Sequence, residues 1–192
     1  MLSGDARALL DDVVAREEEF VSNEPDGHRM RHGWVLTDPP PSAEPVLAFV
    51  RDRLPELAES FRLGFGAGPP SAPTLELTDV GVTAHRDGDF LGPHHDDGWP
   101  GPRNGRLLSF VYWFHHQPRS FGGGDLSLRG WERADAELSP TGPELEIQPD
   151  HDRLVVFPSV TRHQLRPVSC TPDRFASARF AVVGFVRRRS MG

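Results

Sequence analysis

Apolar and polar positions follow two different periods along this chain. Near the N-terminus Leu9, Leu10, Val13, Val14 and Phe20 recur at about 3.6 residues, with Glu17 to Glu19 on the wet side, which predicts an amphipathic helix. The cluster Asp38-Pro39-Pro40-Pro41-Ser42 interrupts the chain. Val46, Leu47, Val50 and Leu54 then predict a second helix, in which Pro55 either kinks the axis or starts a new first turn. From Thr74 onward short apolar runs bounded by turn residues replace the helical period. The strand candidates are Leu75 to Ala84, Arg106 to His115, Leu126 to Leu128, Leu145 to Ile147, Leu154 to Phe157, His163 to Val168 and Arg179 to Val186. Gly122-Gly123-Gly124 and Ser139-Pro140-Thr141-Gly142-Pro143 predict turn-rich connections. Helices first and strands afterwards predict an α+β chain, mostly β, with helices over 1–65 packed on one side of an antiparallel sandwich or barrel.

Composition narrows the class. The 192 residues suit one domain, 1–192, with a sizeable core. The net charge is −7 and every one of the 21 basic side chains is Arg, so no field exists that would gather phosphates, and nucleic acid is not expected as a partner. The run Arg187-Arg188-Arg189 is expected to be a solvated tail. Residues 1–5 carry no basic or apolar leader, and no apolar stretch approaches the roughly 18 residues a membrane span needs. A cytoplasmic protein without membrane contact is expected. The single Cys170 excludes an intrachain disulfide and any Cys-rich metal site, whereas nine His leave room for a centre built from imidazole and carboxylate.

The segment from His85 to Asp97 carries that chemistry. Residues two apart in a strand point the same way, so a His-x-Asp pair can grip one ion. Three such pairs occur, His85/Asp87, His94/Asp96 and His95/Asp97. A third imidazole, His163, heads a strand candidate beyond Leu154-Val155-Val156-Phe157, and antiparallel pairing could return it beside the pair. Two His and one carboxylate form a facial triad that leaves octahedral Fe(II) three open positions; the same ligands could hold Zn(II).

Four segments, in order, resemble the catalytic domain of the prolyl 4-hydroxylase-like Fe(II)/2-oxoglutarate dioxygenases: Gly88-Asp89-Phe90-Leu91-Gly92-Pro93-His94-His95-Asp96, Arg106-Leu107-Leu108-Ser109-Phe110-Val111-Tyr112-Trp113, Gly123-Gly124-Asp125-Leu126, and Phe157-Pro158-Ser159 through His163 to Pro167-Val168. The resemblance covers about residues 75–188 and implies a double-stranded β-helix, or jelly roll, as the catalytic core. In that family the first iron-binding His stands four residues after the Phe of the Gly-x-Phe-Leu segment, which here selects His94, Asp96 and His163 as metal ligands, with His95 and Asp97 as the competing register. The resemblance also implies a basic residue on a late strand that binds the distal carboxylate of 2-oxoglutarate; Arg179 is the candidate and Arg174 the runner-up. With no Lys in the chain that residue must be Arg. His85 and Trp113 stand where many relatives carry Tyr, and His85 could donate to the oxoacid. His115 and His116 are expected to be solvated at a strand end, and Trp34, Trp99 and Trp131 to serve packing.

The implied activity is hydroxylation of a prolyl or other aliphatic C–H in a peptide, a protein or a free amino acid, with 2-oxoglutarate converted to succinate and CO2. Ascorbate is a further reductant that the resemblance allows. Two other classes fit the same residues: a metal-dependent jelly-roll enzyme that uses no 2-oxoglutarate, and a non-catalytic jelly-roll binding module.

Overall fold

Period-two strands with apolar side chains on one face need a second layer to cover that face, and the N-terminal helices supply it. The computed structural model describes residues 3–23, 31–61, 75–98, 104–134 and 137–188. Helix α1 (Ser3–Ala15) is followed by strands β1 (Val21–Ser22), β2 (Arg31–His32) and β3 (Trp34–Leu36), then by helices α2 (Glu44–Asp52) and α3 (Leu54–Ser60). The remaining strands are β4 (Leu75–His85), β5 (Phe90–His94), β6 (Arg106–Phe114), β7 (Phe121–Gly123), β8 (Leu126–Ala134), β9 (Glu137–Ile147), β10 (Arg153–Pro158), β11 (Arg162–Leu165), β12 (Val168–Cys170) and β13 (Arg179–Arg188).

They form a six-stranded sheet in the order β1-β3-β4-β13-β6-β10, a five-stranded sheet in the order β2-β5-β11-β8-β9, and the pair β12-β7. All pairings are antiparallel, and the fold is a jelly roll. Each central strand of the larger sheet presents two unlike rows. Val82 and Ala84 of β4, Phe110, Tyr112 and Phe114 of β6, and Phe180 and Val182 of β13 pack with Ala6, Leu9, Leu10 and Val13 of α1 and Val46 and Val50 of α2. The other rows face the smaller sheet; there Trp113, Ala181 and Phe157 of the larger sheet meet Leu126 of β8.

Several connections differ from the sequence expectation. The first third contributes three short strands as well as helices, and they widen both sheets. At Pro55 the second of the two expected readings holds: it occupies the first turn of a new helix, α3, where its missing N–H costs nothing. Residues 139–143 lie inside β9 instead of forming a turn. The Arg187-Arg188 pair continues β13, with Arg187 Nε 3.4 Å from Glu76 Oε1, and Arg189 lies outside the described residues. His115 is buried, not solvated; its ring nitrogens lie 2.9 Å from the His116 carbonyl and 3.1 Å from the Pro149 carbonyl. Among the described residues no helix is long and apolar enough to cross a membrane.

The loop after β12 is anchored by Phe175, whose ring lies 5.0 Å from Phe20 and 5.2 Å from Phe180, both edge to face. Phe175→Ala is therefore expected to cost about 3–5 kcal/mol, read as a lower urea midpoint. A wild-type midpoint would show that this ring does not anchor the loop.

Candidate metal centre and its cavity

Strand register does most of the assembly. β11 runs antiparallel to β5 with His163 directly opposite His94, and cross-strand partners project to the same face. The pairing is irregular between His163 and Leu165, so that Leu165 opposes Leu91; Leu91 and His94, three residues apart, both line the cavity. Asp96 follows in the turn after β5, where its N–H and that of Asp97 donate to the Ser159 carbonyl at 3.0 and 3.2 Å.

One ligand atom from each of His94, Asp96 and His163 lies within 4.8 Å of the others. His94 Nε2 is 3.4 Å from Asp96 Oδ1, and His163 Nε2 is 3.2 Å from Asp96 Oδ2. His94 Nδ1 donates to the Gly92 carbonyl and His163 Nδ1 to the Thr161 carbonyl, each at 2.9 Å. A carbonyl can only accept, so both rings carry their proton on Nδ1 and turn an Nε2 lone pair to the centre. Burial, aided by His163, pushes the His94 imidazole below its usual value against the opposing pull of Asp96, which favours the neutral ligand form. Burial alone would raise the Asp96 carboxyl, but His163 and His94 outweigh it and hold the group well below the carboxylate range. Two imidazoles with Nε2 turned inward and one carboxylate, open on one side, fit a divalent ion with free coordination positions. His95 turns away, with Nδ1 donating to the Val160 carbonyl at 2.8 Å, and neither it nor Asp97 joins the group of ligand atoms.

The centre opens into a cavity of about 540 Å³ between the sheets, lined also by Arg179, His85, Ser109 and Trp34. Arg179 lies opposite His85 in the pairing of β13 with β4, on the face away from the helices. It is 3 % exposed, its Nε donates to the Gly124 carbonyl at 2.8 Å, and its guanidinium lies 5.4 Å from the Trp113 ring centre. Among the described residues Asp125 is the one acidic group that favours its charge, and burial pushes the guanidinium down to about 9, still cationic at neutral pH. Gly124 is required here: its φ is +72° and a Cβ would stand 2.6 Å from Arg179 Cδ. His85 Nδ1 and Trp113 Nε1 are buried without a hydrogen-bond partner. Burial first, then Arg179 and His32, keep His85 well below the usual imidazole range. The cavity thus holds an unpaired cation beside an unsatisfied imidazole nitrogen, a combination that an oxygen-rich anion would complete.

Arg174 is exposed. Of the tryptophans expected to pack, Trp34 packs against the main apolar core and also lines the cavity, Trp99 lies outside the described residues, and the Trp131 side chain is not described. The loop from Gly98 to Asn104 is described only at its ends. Ser109, whose Oγ donates to Asp96 Oδ2 at 2.7 Å, was not singled out by sequence reasoning. The available signal was a lone hydroxyl within the apolar run Leu107-Leu108-Ser109-Phe110-Val111.

Residues 80–187 match the family model of the 2OG-Fe(II) oxygenase superfamily. The chain is similar to an uncharacterised PKHD-type hydroxylase of Synechocystis sp., 27% identical over 186 residues that cover 94% of this chain and 58% of the relative. It therefore spans under three-fifths of that relative's length. Among solved structures, a prolyl-4-hydroxylase of Pseudomonas putida shares the fold with TM-score 0.62 and 22% identity, over 99% of this chain and 89% of the other. So does a prolyl hydroxylase from Trichoplax adhaerens in complex with a hypoxia inducible factor oxygen degradation domain peptide fragment, with TM-score 0.61 and 16% identity over 96% and 77% of the two chains.

A buried, unpaired guanidinium costs more than the single hydrogen bond to Gly124 returns, which is about 1.5–3 kcal/mol net for a charged donor. Arg179→Met keeps the volume and removes the charge, so its urea midpoint is expected at or above wild type. A large drop would show that the folded chain satisfies this cation by itself.

Proposed function

Since the chain belongs to the 2OG-Fe(II) oxygenase superfamily, we propose that it is an Fe(II)- and 2-oxoglutarate-dependent hydroxylase acting on a prolyl or other aliphatic C–H. The observation that carries this reading is the shared cavity: convergent His94, Asp96 and His163 on one side, and the unpaired Arg179 cation on the other.

His94, Asp96 and His163 would hold Fe(II), each through the atom it already turns to the centre. Arg179 would bind the distal carboxylate of 2-oxoglutarate; a planar guanidinium suits a carboxylate with two parallel hydrogen bonds, and here Gly124 fixes its Nε edge. His85, neutral and unsatisfied at Nδ1, would add a second contact to the oxoacid. When bound, the metal and its cosubstrate supply the oxidation, in which O2 and 2-oxoglutarate become succinate and CO2 as a substrate C–H becomes C–OH. The chain's own part is geometric and dielectric: apolar walls such as Leu91, Phe157 and Val183 keep bulk water from the reacting face. A prolyl residue in a peptide or protein leads as substrate, supported by the peptide bound to the Trichoplax adhaerens neighbour; a free amino acid is the smaller alternative.

The test is succinate formation from 2-oxoglutarate with and without added Fe(II). Wild type is expected to need Fe(II), and His94→Ala, Asp96→Ala and His163→Ala to fall to the metal-free background. A variant at any of these positions that keeps full turnover contradicts the ligand assignment.

A further inference from the structure

We propose that Ser109, backed by Ser159, is a positioning residue that makes Asp96 meet the metal through one oxygen, so that no fourth coordination position is spent on the carboxylate. This rests on the metal-centre reading above and adds a role for two residues outside the ligand set.

The direction of the hydrogen bonds is fixed by chemistry. A carboxylate at Asp96 only accepts, so Ser109 Oγ donates to its Oδ2, at 2.7 Å. Ser109 Oγ also lies 2.9 Å from Ser159 Oγ. With its proton committed to Asp96, Ser109 must accept there, and the chain runs from Ser159 through Ser109 to Asp96. Both hydroxyls are inaccessible, at 0% and 2% exposure for Ser159 and Ser109, where an unpaired hydroxyl would be costly. Such a chain polarises along its length, which strengthens the last bond.

Ser159 grips the same ligand from its other side. Its carbonyl accepts from the Asp96 and Asp97 N–H groups, while its own N–H donates to the Leu107 carbonyl at 3.0 Å. One residue in the turn after β10 thus sets the backbone of Asp96 directly and its side chain through Ser109. Oδ2 lies 3.2 Å from His163 Nε2 and Oδ1 3.4 Å from His94 Nε2, so both face the centre; the hydrogen bond draws on lone-pair density of Oδ2 alone and leaves Oδ1 as the better donor to an ion. Symmetric chelation by both oxygens would load the ion onto the oxygen that already accepts from Ser109, and that hydrogen bond competes with it. Three protein donors then leave three positions on an octahedral ion, where a chelating Asp96 would leave two.

The test uses Co(II) alone as probe, with affinity from calorimetry and coordination from the visible d–d absorption of the loaded protein. Thermal unfolding of the metal-free forms checks that each variant folds. Ser109→Ala is expected to bind Co(II) roughly 10–100-fold more weakly, with a changed d–d band. Ser109→Thr keeps a hydroxyl and has the cavity for its extra methyl, so it restores both readings. Ser159→Ala removes only the donor behind Ser109 and shows an intermediate loss. Wild-type affinity and an unchanged band in folded Ser109→Ala, or a loss that Ser109→Thr does not restore, overturn the proposal. Should Ser109→Ala not fold, wild-type affinity and spectrum in Ser159→Ala overturn it instead. A wild-type chain that binds no Co(II) overturns the metal-centre reading itself, and this proposal with it.

Discussion

The strands β4, β6 and β13 must satisfy two environments at once, and the period of two in an extended chain is what permits it. Their helix-side rows, including Phe110, Phe114, Phe180 and Val182, are apolar apart from the Tyr112 hydroxyl, which donates to Asp152 Oδ1, and hold α1 and α2. The opposite rows carry Ser109, His85 and Arg179 into the interior. A slip of one residue would exchange the rows, placing Arg179 under the helices and Phe180 in the cavity. The large apolar surface on the helix side therefore fixes which polar groups face the metal centre, and the chemistry inherits its precision from packing on the other side of the sheet.

That arrangement carries a cost. Arg179 is kept as a buried cation with a single backbone acceptor, and His85 and Trp113 each keep an unsatisfied nitrogen nearby. Burying such groups without partners opposes folding. The N-terminal helices, the anchored loop at Phe175 and the inter-sheet cluster around Trp113 and Phe157 offset it. Stored electrostatic dissatisfaction of this kind marks a place where an incoming ligand, and not the folded chain, completes the hydrogen bonding.

What could be read from the sequence followed from locality. The apolar runs predicted most of the longer strands, and the spacing that the family resemblance implies, four residues after Phe90, selected His94 over His95; the structure brings His94, Asp96 and His163 together and turns His95 away. Arg179 was singled out through the resemblance, which implies a basic residue on a late strand; the structure puts it in the cavity-facing row that alternates with Phe180 and Val182. β1, β2 and β3 were not, since two or three residues are too few to display a period. The prolines at 140 and 143 suggested a turn, but β9 is an edge strand, where a missing N–H is tolerated. His115 is buried by carbonyls that include one 34 residues away, and Ser109 meets Ser159 across 50 residues. Pairings over such distances leave no local pattern.

The central claim is that the three convergent ligands and the unpaired Arg179 serve one cavity, the first for Fe(II) and the second for the oxoacid. An anaerobic titration of the protein with Fe(II) and then 2-oxoglutarate tests it most directly. Stoichiometric Fe(II) binding followed by a visible charge-transfer band on adding the oxoacid is the predicted result, with the band weakened in Arg179→Met while Fe(II) binding is kept. No stoichiometric Fe(II) binding, or bound Fe(II) whose absorption does not respond to 2-oxoglutarate, would contradict it.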